Sequence, residues 1–142
     1  MHDLIRLESR YDGGGVRVRV EELGPLTRGA TLPGRIELET GFVSGRQGTY
    51  VFSEDLDAWA EVLDAVEQGR DASWRKDQRA TEIHVRLLER TDSEDRLRVS
   101  VADRMSSLTT VEVTLDLATG WIEEHRAFLD QVRGAARPPA DD

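Results

Sequence analysis

The sequence predicts an α+β fold, in which two helices pack on one face of an antiparallel sheet of seven to eight strands, in the order ββββα-ββββα. Three observations lead to this prediction. Apolar residues alternate with charged ones in several short segments, which is typical of strands with one buried face. In two other segments the apolar spacing changes to three and four residues, which is typical of amphipathic helices. Short turn sequences join the strands, and such links favour antiparallel pairing.

Four strands are predicted before the first helix. The first covers 3–8 and the second 16–20, on either side of a glycine-rich turn. Residues 23–34 hold two Pro and three Gly and are predicted as a loop. The third and fourth strands follow, joined by a tight turn at 44–46, and the fourth ends near Phe52. The apolar residues that mark the first three strands are Leu4, Ile5, Leu7, Val16, Val18, Val20, Ile36, Leu38 and Phe42.

The first helix is predicted over about 53–69. Ser53 is a suitable N-cap, and acids follow in the first turn, where the helix dipole favours negative charge. Gly69 is a natural stop. The apolar side of this helix is formed by Leu56, Trp59, Ala60, Leu63 and Val66.

The second half of the chain has a similar order of elements. Trp74 lies in a short strand within a polar segment, and three alternating strands follow, with a polar loop at 91–95 and a turn at 105–107. The second helix is predicted over about 117–133, with Gly134 as its stop. Its apolar side is formed by Trp121, Ile122, His125, Phe128, Leu129 and Val132.

Length and composition predict one domain over 1–134 and a disordered tail over 135–142. The chain is 38% apolar and 33% charged, which fits a small soluble globule. It has no Cys, which excludes disulfides, thiol nucleophiles and thiolate metal sites. There is no secretory signal and no run long enough to span a membrane, so a cytoplasmic location without membrane attachment is expected.

The sequence shows no pattern typical of catalysis or of metal binding, so we predict a protein that is not an enzyme and needs no cofactor. The three histidines lack metal-ligand spacing, and His125 is expected to be packed beside the second helix's Trp121. Ser44 does not match the strand–turn–helix pattern of a nucleophilic serine. The run of glycines at 13–15 is interpreted as a turn rather than a phosphate-binding loop.

The formal net charge of −9 argues against nucleic acid as a partner, because binding to phosphates requires a basic surface. The excess is concentrated in one segment: residues 54–67 contain six acids and no base. Helical geometry places four of these acids on one stripe opposite the apolar side. Two interpretations stay open, a solvated helix face and a surface for a basic protein partner. The candidate partner-binding residues are Glu54, Asp57, Glu61 and Asp64, together with Trp74, whose polar surroundings suggest exposure and whose alternative place is the core.

Several segments together resemble a domain family of unknown function from GC-rich soil bacteria. They are 3–8, 39–45, 53–63 and 115–125, and the two segments that contain tryptophan are the most specific. More distantly, the length, the strand order and the strand–acid–helix segment near mid-chain are similar to WapI-type immunity proteins. That resemblance implies a small acidic protein that binds and blocks a toxin from the same cell.

The leading hypothesis is therefore a binding protein that occludes a basic toxin surface in an immunity-like manner. The alternative is a small-molecule-binding or regulatory accessory domain with a pocket between sheet and helices, which a cavity with convergent polar groups would favour. An enzyme ranks third, and an organised histidine–carboxylate pair in a cleft would support it.

Overall fold

The computed structural model describes residues 1–21, 31–76 and 78–136, and it confirms the α+β class and the order ββββαββββα. The elements are β1 (His2–Glu8), β2 (Gly15–Val20), β3 (Thr31–Glu39), β4 (Ser44–Phe52), α1 (Ser53–Glu67), β5 (Ala72–Trp74), β6 (Glu82–Arg90), β7 (Glu94–Ala102), β8 (Thr110–Ala118) and α2 (Trp121–Ala136).

The eight strands divide between two four-stranded antiparallel sheets, each in chain order, β1 to β4 and β5 to β8. Pairing aligns the apolar positions, because side chains alternate between the faces of a strand. Val18 lies opposite both Ile5 and Ile36 in the first sheet, and Val99 lies opposite both Val85 and Val113 in the second. The predicted alternation thus gives each sheet one apolar face.

The helices join the two sheets. Helix α1 contacts β4, β5 and β6, while α2 contacts β1 and α1. Trp59 of α1 is fully buried at the centre of the core, with its ring 6.4 Å from that of Trp74 and 6.0 Å from that of His125. These large rings come from both halves of the chain, so the two sheets and two helices share one core.

The edge of β1 is closed by α2. The backbone N–H of Arg6 donates a hydrogen bond of 2.9 Å to Nε2 of His125, and the N–H of Arg10, just beyond the strand, donates to the Asp116 carbonyl at 2.9 Å. A helix side chain thus satisfies one edge N–H of β1, and one backbone bond links the end of β1 to β8 where the two sheets meet.

The β3–β4 hairpin differs from the prediction in its turn. The predicted turn at 44–46 is part of β4, and the turn lies at 40–43 instead. The Thr40 hydroxyl accepts the N–H groups of Phe42 and Val43 at 3.1 and 2.8 Å, which fixes the turn there. Phe42 is therefore 97% exposed at the tip, and its prediction as a strand residue is wrong.

Strand β3 also begins earlier than expected. Residues 31–34, the end of the predicted loop, are part of the strand, and Leu32 is buried. Pro33 lies at the start of β3, beyond the end of β2, and a strand tolerates a residue without an N–H at such a position. Its carbonyl accepts the N–H of Glu21 at 2.8 Å. The rest of the predicted loop, from 23 to 30, lies outside the described residues.

The helix ends also differ from the predictions. Phe52 rather than Ser53 is the N-cap of α1, and its N–H donates to Oδ2 of Asp55 at 2.9 Å. Gly134 does not end α2, which runs to Ala136 because two alanines, the best helix formers, follow the glycine. Residues 137–142 of the predicted tail lie outside the described part of the chain. Within that part, none of the helices has the length and apolar character needed to cross a bilayer.

Candidate functional site

The four acids predicted to form a stripe on the first helix are all exposed on α1. Glu54, Asp57, Glu61 and Asp64 point away from a buried side that includes Leu56, Trp59 and Leu63. The three- and four-residue spacing that buries the apolar residues also places these acids on the outside. The structure thus brings the predicted acids together on one surface.

Two arginines of α2 lie beside this stripe. Arg126 donates from Nη2 to Asp64 at 2.9 Å and from Nη1 to Glu67 at 2.9 Å, and Arg133 donates to Asp57 at 2.8 Å. The hydrogen bonds that Arg126 donates to Glu67 and Asp64 raise the pKa of Arg126, and the bond to Glu67 lowers the pKa of that carboxylate. The charges of Asp57 and Asp64 are therefore compensated from the neighbouring helix, although α1 itself contains no base.

These two arginines were not predicted as members of the surface. Arg126 and Arg133 are seven residues apart, so they lie on the same side of α2, and this spacing was the available signal. Sequence spacing places residues on one helix, but it does not show which second helix packs beside them. The ion pairs became visible only once α1 and α2 were seen in contact.

Glu54 and Glu61 are the free acids of the stripe. No described residue forms an ion pair with either of them, whereas their neighbours Asp57 and Asp64 are each paired. We call the exposed surface shared by the two helices the acidic face, and it consists of Glu54, Asp57, Glu61, Asp64, Glu67 and Glu123, with Arg126 and Arg133 among them. Six acids against two bases give this face an excess of negative charge.

Trp74 is not part of any surface. It is fully buried in β5 opposite Ile83, and its indole N–H donates to the Asp55 carbonyl at 2.8 Å. One of the polar neighbours that suggested exposure, Arg75, is itself buried, and its guanidinium lies 4.2 Å from the centre of the Trp74 ring. The structure therefore removes Trp74 from the candidate partner-binding residues and places it in the core.

A serine, a histidine and an aspartate meet on the second sheet. Ser73 Oγ lies 2.6 Å from Nδ1 of His84, and Nε2 of His84 lies 3.2 Å from a carboxylate oxygen of Asp71. These residue types occur together in nucleophilic catalysis. Here, however, the Asp71 side chain is 60% exposed, so water competes for the bond that would orient the imidazole. We interpret this trio as polar surface of β5 and β6.

His125 has the packed position that the sequence suggested. It is fully buried, its Nδ1–H donates to the Trp121 carbonyl at 2.7 Å, and its Nε2 accepts the Arg6 N–H. Both ring nitrogens are therefore occupied in the neutral form, which leaves none for a substrate or metal. No three acids or histidines of the described chain converge as a metal site.

The fold and the surface define a small α+β protein with two antiparallel sheets, one shared core and an acidic face on two adjacent helices. The chain belongs to a family of unknown function, DUF5959, whose profile matches residues 2–137. The match spans nearly the whole sequence and confirms the resemblance to a family of unknown function. No curated protein and no solved structure gives a significant match to the chain.

Proposed function

We propose that this protein is a non-enzymatic binding protein whose acidic face recognises a basic surface on another protein. The observation that carries the proposal is the exposure of Glu54 and Glu61 without an ion pair within the described chain. Unpaired carboxylates keep their charge available to a partner, and complementary charge speeds the encounter and sets its specificity.

The paired acids have a second role in this proposal. Asp57 and Asp64 pair with Arg133 and Arg126, and these exposed pairs orient the side chains on the face, while the shared core holds α1 beside α2. The two helices then present a preorganised surface, and preorganisation reduces the entropy lost on binding. The partner would contact the free acids Glu54 and Glu61.

We further propose that binding is immunity-like, so that the acidic face covers a basic functional surface of a toxin in the same cell. The support is the similarity to WapI-type immunity proteins in length, strand order and the helix that follows the mid-chain strand. Occlusion needs only a stable surface of complementary charge and no chemistry of its own, which fits the absence of a recognisable catalytic pattern in the sequence.

The experiment is affinity capture of partners by the full chain in its native cell, quantified by mass spectrometry for the wild type and two variants. Glu54→Arg/Glu61→Arg reverses the two free acids. Glu89→Arg/Asp92→Arg is the matched control, because it changes the net charge equally at exposed positions of β6 and of the turn that follows it. We expect a basic protein that the control captures and the first variant loses. Equal capture by both variants would contradict the assignment to the acidic face.

The immunity-like part has its own test. Co-expression of the chain should protect cells from the captured partner, and the Glu54→Arg/Glu61→Arg variant should lose that protection. If the partner is harmless without the chain, the toxin hypothesis is wrong even where binding through the acidic face holds.

A further inference from the structure

A cavity of about 300 Å³ lies where β4, the first turn of α1 and the connection from β5 to β6 meet. Its volume is at the lower end of the range for small-molecule sites. The wall includes Thr49, Tyr50, Phe52, Asp55, Arg75 and Arg79. It is separate from the four acids of the predicted stripe, and it is the feature that supports the small-molecule alternative left open by the sequence.

Arg75 is the polar residue that distinguishes this cavity. Its side chain is only 2% exposed, its Nε donates to the Thr81 carbonyl at 3.1 Å, and its Nη1 donates to the Thr49 hydroxyl at 2.9 Å. The remaining nitrogen, Nη2, is buried and has no hydrogen-bond partner in the described chain. A buried donor without an acceptor is unfavourable, so its presence calls for an explanation.

The backbone holds this guanidinium in place. Arg75 has φ +61°, in the left-handed region that side chains other than glycine rarely adopt. Residues in such conformations persist where the surroundings determine them, and they occur often at ligand sites. The bonds to strand β4 and to Thr81 provide those constraints, so the unpartnered Nη2 is a fixed donor rather than a mobile one.

The charge of Arg75 has no ion-pair partner among the described residues, although its guanidinium lies over the Trp74 ring. No described carboxylate lies within ion-pair distance of this guanidinium, and Asp55, in the same wall, already accepts the Phe52 N–H. Burial lowers the pKa of Arg75 and the more distant charge of Asp55 opposes that shift, but an arginine stays protonated at neutral pH. With Arg79 also in the wall, the described lining contains two cations and one acid, which favours a single negative charge in the cavity.

We propose that this cavity binds a small organic carboxylate, whose oxygen accepts the hydrogen bond of Arg75 Nη2 and whose apolar part lies against Tyr50, Phe52 and Met105. All three side chains line the cavity and are large and apolar. Tyr50 and Met105 are mostly exposed, and Phe52 is about half exposed. A carboxylate carries one negative charge and fits a site with one free donor and one excess positive charge. A phosphate carries more charge and more acceptor oxygens, so it requires more donors and more positive charge. Gln78 and Arg79 also line the cavity and have exposed side chains, and in this proposal the carboxylate reaches the buried Nη2 by displacing them.

The test is a titration of the ¹⁵N-labelled full chain with benzoate, followed by NMR. Benzamide, which has the same shape without the charge, and inorganic phosphate serve as comparison probes. We expect saturable shifts at cavity residues with benzoate and at least about tenfold weaker binding of the other two. No saturable shift with benzoate, equal binding of benzamide, or tighter binding of phosphate would each overturn the proposal.

Two glycines of β4 provide a variant and its control. A side chain at Gly48 would project into open space at the cavity wall, whereas Gly45 on the same strand lies outside this cavity and is equally unobstructed. Gly48→Leu should weaken benzoate binding at least about tenfold, and Gly45→Leu should leave it within about twofold of the wild type. Equal affinity of the two variants would contradict this location.

Arg75→Gln removes the charge itself and should abolish the preference for benzoate over benzamide. If that variant does not fold, because three hydrogen bonds of Arg75 are lost, the comparison of Gly48→Leu with Gly45→Leu decides the question without it. A negative result in this titration does not bear on the acidic face, since neither glycine belongs to that face.

Discussion

His125 shows how one buried polar residue connects the two halves of the chain. Its imidazole accepts the N–H of Arg6 on β1, which lies 119 residues earlier in the sequence. It also donates a hydrogen bond to the Trp121 carbonyl in its own helix. The helical spacing predicted that His125 is packed, but it could not predict these bonds, because their partner lies on a distant strand. The same holds for Trp74, whose neighbours in sequence are polar and whose neighbours in space are Trp59 and Ile83.

The burial of His125 predicts a pH dependence of stability. Burial lowers the pKa of His125 from 6.5, so below about pH 6.5 the unfolded chain binds a proton that the folded chain does not. The free energy of unfolding should therefore fall as the pH decreases from 7.5 to 5.5. Urea unfolding at several pH values measures it.

The variant His125→Phe tests the origin of this slope. It should lose about 1–3 kcal/mol at pH 7.5, because the Arg6 N–H loses its acceptor, and its stability should depend less on pH in this range. An unchanged slope in His125→Phe would show that another group causes it.

A side chain from another element satisfies the free carbonyl groups at the C-terminal end of α1. No basic residue lies in its last turn, yet Arg90 of β6 donates to the carbonyls of Glu67 and Val66 at 2.8 and 3.2 Å. The same guanidinium forms a two-point pair with Asp95, whose Oδ2 also accepts the indole N–H of Trp121 at 2.8 Å. One carboxylate thus connects the end of α1 to the start of α2.

Removing the charge of Asp95 should therefore destabilise the whole protein. Asp95→Asn weakens the pair with Arg90 and the bond to Trp121, and we expect a loss of about 1–3 kcal/mol, since Asp95 is buried but Arg90 is partly exposed. Thermal and urea unfolding measure this loss. The exposed pair of Arg96 with Asp116 is the control, and Arg96→Gln should cost less than about 1 kcal/mol. Similar losses in both variants would contradict the role given to Asp95.

Gly34 allows strands β2 and β3 to approach closely. A Cβ on this residue of β3 would lie 2.6 Å from the carbonyl oxygen of Arg19 on β2, and backbone cannot yield as a side chain can. Gly34→Ala should lower the free energy of unfolding by about 1–3 kcal/mol. Gly48→Ala on β4, where the added methyl meets open space, should change it by less than about 0.5 kcal/mol. Equal stability of the two variants would exclude the close approach.

Most strands and both helices were predictable because each follows a local period of two or of three to four residues. The errors occurred where a local signal competes with a stronger contact. Gly45 suggested a turn, but the hydroxyl of Thr40 fixes the turn earlier, and Ser53 suggested a cap, but Asp55 satisfies the Phe52 N–H. Such competition is decided by side-chain hydrogen bonds that composition does not reveal.

At the scale of the whole molecule, the negative charge belongs to a surface made by two helices. The sequence located six acids between residues 54 and 67. The structure buries Asp55, pairs Asp57, Asp64 and Glu67 with Arg133 and Arg126, and leaves Glu54 and Glu61 free. The stripe was predictable from helical spacing. The pairing was not, because it depends on the packing of α2 against α1.

The pairing predicts a variant that strengthens binding. Arg133→Gln frees Asp57 and removes one positive charge from the acidic face. Because the pair is exposed, stability should change by less than about 1 kcal/mol. Association with the basic partner should become faster by roughly two- to tenfold at low salt. Slower association would show that Arg133 itself contacts the partner.

We propose that the free acids of the acidic face direct the association with a basic protein, and the rate constant of that association measures their effect. Stopped-flow measurements at increasing ionic strength compare the wild type with Glu54→Arg/Glu61→Arg and with the control Glu89→Arg/Asp92→Arg. We predict a wild-type rate constant that falls steeply with salt, a similar control, and a variant roughly ten- to a hundredfold slower with little dependence on salt. Equal rate constants for the two variants at every ionic strength would contradict the account.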